Sequence, residues 1–333
     1  MPDGDCFRTP DAVASPTNEE PPMAAEPSMH LPPTVIAHTG VKEILAKSIA
    51  LMKPVTWFPP AIAFVCGAIA SGTTTFGFVD IARIALGSFL AGPILCGLSQ
   101  VINEYCDREV DAINEPNRPI PSGLVSFRQV FITIAVLTVI SIGLSFVFGL
   151  PVVYLTLIGI FLAIAYSAEP LRAKRLGWIG NGLVSVSYEG LPWIAGAMSF
   201  YVAGQTNIMG SLVLAAIFSF GAHGIMTIND FKSIDGDRLM GIKSIPAQMG
   251  ADWAAMSAVI TINAALFCAT LYMLGTGNTT AAAIMFVLML GQIPTQRKFL
   301  HMTDPRARAI FYNASGVMIF VWTMVASAIG IRS

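Results

Sequence analysis

The segment Asn103-Glu104-Tyr105-Cys106-Asp107-Arg108-Glu109-Val110-Asp111 carries an Asn and two Asp residues at intervals of four. An α-helix turns about 100° per residue, so Asn103, Asp107 and Asp111 lie within about 80° of one another on one face. Carboxylates one turn apart at the end of an apolar segment are costly unless they meet a polar cavity and a cation. A hard ion such as Mg²⁺ suits them, because it is held by a few carboxylates together with phosphate oxygens. A solvated helix end would explain the charges but not their spacing. The spacing recurs at Asn229, Ser233 and Asp237, with Asp230 standing where the first segment has Glu104. Two facing clusters of this kind can hold two Mg²⁺ ions around one diphosphate. The candidate metal ligands are therefore Asp107, Asp111, Asp230, Asp235 and Asp237, and the candidate catalytic set is Asn103, Asp107, Asp111, Asn229 and Asp237.

Cations able to neutralise a diphosphate are expected on the same face as the acidic segments. Arg118 lies in Asn117-Arg118-Pro119-Ile120-Pro121-Ser122-Gly123, where the prolines stiffen the backbone around the guanidinium. Arg172 and Lys174 follow Tyr166. Arg118, Tyr166, Arg172 and Lys174 are the candidate diphosphate-binding residues, although cytoplasmic loops of any membrane protein already favour Lys and Arg. Two polar residues fall inside apolar segments. Glu189 is a candidate for orienting an acceptor or for a helix-packing hydrogen bond. His223 is either a ligand for the acceptor or a hydrogen-bonded core histidine.

The elements that must position these residues are membrane helices. The 333 residues are 54% hydrophobic and 12% charged, with many runs of about 20 apolar residues and none of the alternation of a membrane barrel. The expected fold is all-α, with two pseudo-repeated halves and nine membrane helices near 55–72, 82–102, 129–149, 151–167, 179–201, 209–228, 253–274, 279–294 and 309–331. Residues 1–40, rich in Pro, Ser, Thr and acids, form an expected disordered tail with no signal peptide. Residues 41–333 form the transmembrane domain, opening with a short amphipathic surface helix over 41–53. Nine spans from an inside N-terminus put 17 of the 19 Lys and Arg on one face, leaving Arg83 and Arg332 opposite, which makes the acidic face cytoplasmic. Scattered histidines and five unpaired cysteines point to neither a zinc site nor a disulfide framework. No nucleic-acid partner is expected; membrane lipids are.

The run Asn103 to Gly123 resembles the first signature of the UbiA-type intramembrane prenyltransferases, and more narrowly the chlorophyll and bacteriochlorophyll synthase branch. Leu51 to Trp57, Tyr188-Glu189-Gly190-Leu191-Pro192-Trp193 and Asn229 to Asp237 are similar to that branch as well, so the likeness covers about 45–331. Two positions depart from it: Glu104 stands where the family more often has Asp, and Ser233 where many relatives outside the pigment branch have Asp. The resemblance implies Mg²⁺-dependent transfer of a geranylgeranyl or phytyl group from its diphosphate to the propionate of bacteriochlorophyllide. It also implies a bacterial inner or intracytoplasmic photosynthetic membrane and contact with pigment-biosynthesis or photosystem-assembly partners. The alternatives are chlorophyllide, or a quinone precursor or haem, as acceptor. A lipid or organic-ion transporter would also have repeated halves but would gather its charges at the midplane. The small residues Gly190, Ala195, Gly196 and Ala197 are expected to leave a slot for a planar macrocycle. Replacing Asp107, Asp111 or Asp237 by Ala is expected to abolish turnover and leave folding largely intact.

Overall fold

The computed structural model describes residues 40–72, 76–201 and 208–332. Apart from Gly40, the tail expected to be disordered lies outside the described residues. The chain starts with α1 (Val41–Leu51), whose Glu43 and Lys47 pair at 2.8 Å while Ile44, Leu45 and Ile49 stay exposed. Lys53 then takes a left-handed conformation (φ 45°), and the chain bends by 45° into a short 3₁₀ turn and α2 (Phe58–Ala70). There follow α3 (Phe78–Ile113), α4 (Phe127–Phe148), α5 (Leu150–Ser167), α6 (177–199), α7 (Ile208–Lys232), α8 (Ala251–Gly275), α9 (Thr279–His301) and α10 (Pro305–Ile331). Among the described residues there is no strand, only a bridge between Leu176 and Lys243.

These helices follow the nine expected spans within about four residues, except that α3 runs on to Ile113 and α9 to His301. By length and apolarity, however, seven of the described helices can cross a membrane, or eight if α1 and its bent continuation form one span. The remaining one is α6, which carries Asn181, Ser185, Ser187, Tyr188 and Glu189. Its polar content, not its length, keeps it below the others. The expected count of nine is therefore approximate.

The buried apolar residues fall into two clusters. Phe64 joins Leu90, Leu98, Val101, Val130, Leu137 and Phe148 in one apolar cluster of α1 to α5. The neighbouring Ala63, Cys66 and Ala70 join Trp193, Phe218, Ile262, Tyr312 and Phe320 in a second cluster, of α6 to α10. Helix α2 thus lies between the two. It packs against α6 through glycines: a Cβ on Gly196 would collide with the Phe64 carbonyl, and one on Gly67 with that of Trp193. This close backbone approach is the small-residue packing of membrane helices. It also corrects the expected macrocycle slot, because Gly196 and fully buried Ala197 are consumed by packing and Gly190 lies against Ser219. Of the four small residues only Ala195 lines either of the two cavities described below.

Two helices contain π-helical turns, Leu90–Cys96 in α3 and Val186–Gly190 in α6. The first has a cause in the sequence. Pro93 lacks an N–H and cannot close the ordinary i to i−4 bond, so the turn widens.

Candidate active site

The ends of α3 and α7 meet around a polar cavity of about 570 Å³, lined by Asn103, Asp107, Asp111, Asn229, Asp230 and Asp237 among others. The expected convergence of the two acidic segments is thus realised in the fold. A second, mainly apolar cavity of about 280 Å³ runs between α2, α3, α5 and α6. Asn103, Tyr166 and Asn229 line both cavities, so they stand where the polar chamber gives way to the apolar one.

The first acidic segment is held by cations. Asp107 pairs with Lys174 and, at 3.4 Å, with Arg172, while its other oxygen accepts from Asn103 Nδ2 at 2.8 Å. Arg118 pairs with Asp111 at 2.6 Å, Glu104 at 3.2 Å and Glu115 at 2.6 Å. The bond and charge of Arg118 outweigh burial at Glu115 and hold its carboxyl below the usual carboxylate range. The residues picked for diphosphate binding are therefore brought to the cavity, but each of the three cations is engaged with a carboxylate. Arg172 takes a left-handed backbone (φ 34°), a conformation rare outside glycine, and its side chain reaches across to α3.

The second segment is held by neutral donors. Asp230 accepts from Asn181 Nδ2 at 2.9 Å, and Asp237 accepts from Ser233 at 2.9 Å and Ser244 at 2.6 Å. Among the described residues neither has a Lys or Arg within salt-bridge distance. Burial pushes the Asp237 carboxyl up against the lowering effect of the two serine hydroxyls. Ser233 thus contributes a donor to Asp237. The donor set suits a hard cation, being made of carboxylate and amide oxygens. Among the described residues no three His, Cys, Asp or Glu are gathered tightly enough to hold a metal by themselves. An ion here would need substrate oxygens or water to complete its shell, which is ordinary for Mg²⁺.

Three residues picked from sequence stand apart. Asp235 is at the cavity rim with its side chain 97% exposed, facing Arg238 at 3.9 Å. Glu189 is buried in the π turn of α6, lines neither cavity, and its Oε2 has no partner. His223 bonds the Trp178 carbonyl at 3.1 Å and stacks on the Trp178 ring, again outside both cavities. The hydrogen-bonded-histidine alternative describes it. Other residues that shape the site were not picked out. Lys53 pairs with buried Glu104 at 2.6 Å, Asn313 donates to Asn229 at 2.8 Å, and Lys232 and Arg306 line the polar cavity. The available signal was weak: Asn313 is a lone amide in an apolar helix, and Asn181 is one of several polar residues in α6.

Comparison with known proteins accords with this geometry. The chain is 47% identical to the bacteriochlorophyll synthase 34 kDa chain of Chloroflexus aurantiacus, covering 93% of this chain and 99% of that one. It is 37% identical to the chloroplastic chlorophyll synthase of Avena sativa, over 84% of this chain and 74% of that protein. In fold it is similar to a UbiA homologue from Archaeoglobus fulgidus solved with DMAPP and Mg²⁺, with a TM-score of 0.62 at 15% identity, covering 84% of this chain and 99% of that one. Residues 52–324 match the UbiA prenyltransferase family, and the chain belongs to that family.

Proposed function

We propose that this multi-pass membrane enzyme transfers a geranylgeranyl or phytyl group from its diphosphate to the propionate carboxylate of bacteriochlorophyllide, with Mg²⁺ as cofactor. The observation that carries the reading is the junction of a polar, charge-lined cavity with an apolar one at Asn103, Tyr166 and Asn229. A prenyl diphosphate has the same division, a charged head and a hydrocarbon tail, with its reacting carbon at the boundary. Identity to a bacteriochlorophyll synthase exceeds that to a chlorophyll synthase by ten percentage points, which favours the bacterial pigment as acceptor.

Asp107, Asp111, Asp230 and Asp237 would hold Mg²⁺, with Asn103 and Asn229 beside them. Bound there, the ion would neutralise charge gathering on the leaving diphosphate. Arg118, Arg172 and Lys174 are poised to shift from their carboxylates to phosphate oxygens, charge-assisted bonds of equal kind. The C1–O bond to the diphosphate breaks as an oxygen of the propionate bonds to C1, giving an ester and free diphosphate. The acceptor is already ionised near neutral pH, so the protein need not remove a proton from it. Its work is to orient the two substrates and exclude water, which would capture the allylic cation.

An orientation with the N-terminus and this cavity on the cytoplasmic side of a bacterial inner or intracytoplasmic membrane follows from the distribution of Lys and Arg. Incubation of purified enzyme and Mg²⁺ with geranylgeranyl diphosphate and an acceptor panel tests the function. Bacteriochlorophyllide should be esterified, chlorophyllide more slowly, and a hydroxybenzoate or homogentisate not at all. Prenylation of an aromatic acid with neither pigment used would overturn the assignment.

A further inference from the structure

The two ends of the apolar cavity differ. At one, Asn103, Tyr166 and Asn229 join it to the polar chamber; at the other lie Phe64, Gly87, Leu90, Ala91 and Val152. Its length can be read from α5, a regular helix whose Val152 and Tyr166 both line the wall, fourteen residues apart. At about 1.5 Å per residue that interval spans about 21 Å. On α3 the matching stripe is Gly87, Ala91, Leu95, Ser99 and Asn103, every fourth residue along one side of the cavity.

The far end is formed by aromatic packing. The Phe64 ring, reaching over from α2, fills the space beside Gly87 so closely that a Cβ there would overlap it. Phe64 is 1% exposed, and Phe148 stands behind it, edge-on at 5.9 Å and itself buried. Arg83, one turn before Gly87 on α3, places its guanidinium over the Phe148 ring at 5.5 Å and donates to the Val147 carbonyl at 3.4 Å. Two aromatic rings and a cation therefore back the end of the cavity.

A hydrocarbon tail entering from the junction thus has a fixed depth to fill. Geranylgeranyl and phytyl groups have a backbone of sixteen carbons, which extends to about 19 Å with C–C bonds of about 1.5 Å. One isoprene unit more gives about 24 Å, longer than the cavity, and one unit fewer gives about 14 Å, leaving its end unfilled.

We infer that Phe64, seated on Gly87 and backed by Phe148, is the floor of the tail cavity and sets the prenyl chain length, admitting a C20 group and excluding longer ones. This deepens the proposed function and rests on its match of the apolar cavity to the prenyl tail. Phe64 is a specificity-determining residue and takes no part in the bond changes.

The test uses all-trans prenyl diphosphates of 15, 20 and 25 carbons with Mg²⁺ and bacteriochlorophyllide, and reads kcat/KM for each. Binding of the same three compounds is measured without acceptor. The wild type should favour C20 over C25 by about tenfold or more, since a single methylene in an apolar pocket already changes selectivity on that scale. Phe64→Ala lowers the floor and should raise the C25-to-C20 ratio about tenfold or more. Because that variant removes a buried ring and costs stability, Ala91→Leu supplies an independent arm. It adds bulk to the cavity one turn from Gly87 and should lower the C20-to-C15 ratio by a similar factor. Equal use of C20 and C25 by the wild type, or wild-type ratios in either folded variant, would overturn the inference. If no pigment is esterified while binding keeps these length preferences, the acceptor assigned under the proposed function fails and the floor stands.

Discussion

Asp107 shows how a candidate metal ligand is also part of the folded structure. It is 6% exposed and faces Lys174 and Arg172, so replacing it removes both a ligand and the counter-charge of two cations. The expectation that an Ala variant leaves folding largely intact does not hold for this geometry, since removing one partner strands the other. Asp107→Ala should lower turnover at least a hundredfold, the order seen when one stabiliser of a developing charge is lost. It should also lower the thermal midpoint, by an amount corresponding to about 1–3 kcal/mol, because the site is partly open. Asp235→Ala, at a side chain 97% exposed, should change stability by less than about 0.5 kcal/mol. Turnover assays and unfolding curves on both variants check this, and an active Asp107→Ala would remove that residue from the metal site. The acidic triplets were legible because helical spacing is local. Lys53, Asn181 and Asn313 were not, since Asn181 lies 49 residues from Asp230 and Asn313 84 residues from Asn229. Only the fold brings such pairs together.

Helices were legible wherever apolar runs are long, and the two places where reading failed have a common physical origin. Helix α6 reads as a span by position, yet it is too polar to qualify by composition, because it lines both cavities through residues such as Asn181 and Tyr188. Its small residues read as a slot, yet they bring α6 against α2. Glycine in a membrane helix supports either reading until its neighbour is known. Gly196→Val should therefore force the two backbones apart and lower the thermal midpoint sharply, by an amount of about 2 kcal/mol or more. Gly182→Ala, where a Cβ meets open space, should have almost no effect. Unfolding of both variants in the same detergent provides the comparison; equal midpoints would show that α2 and α6 are not packed this closely. The π turns were not anticipated at all. Pro93 signals an interruption in α3 without saying which kind, and Pro192, which has no N–H to bond the Tyr188 carbonyl, does the same for Val186–Gly190.

At the scale of the whole molecule, two apolar clusters share α2 and bring two acidic helix ends to one cavity. The loops after α5 and α7 are joined there, with Gly177 N–H donating to the Lys243 carbonyl at 2.9 Å and Lys243 N–H to that of Arg175 at 3.1 Å. The proposed orientation, with nine crossings and the skewed Lys and Arg content, would put the N-terminus with this cavity and the C-terminus across the membrane. Reporter fusions at the two termini should then report opposite compartments, and agreement between them would change the number of crossings by one. The central claim, however, is chemical: the joined polar and apolar cavities carry out Mg²⁺-dependent prenyl transfer to a pigment propionate. The most direct measurement is ester formation by purified enzyme from bacteriochlorophyllide and geranylgeranyl diphosphate, with Mg²⁺ and with excess chelator. The account predicts the esterified pigment and one diphosphate per turnover with Mg²⁺, and loss of both under chelation that is restored by added Mg²⁺. Full activity in excess chelator, or prenylation of some other acceptor while the propionate stays free, would contradict it.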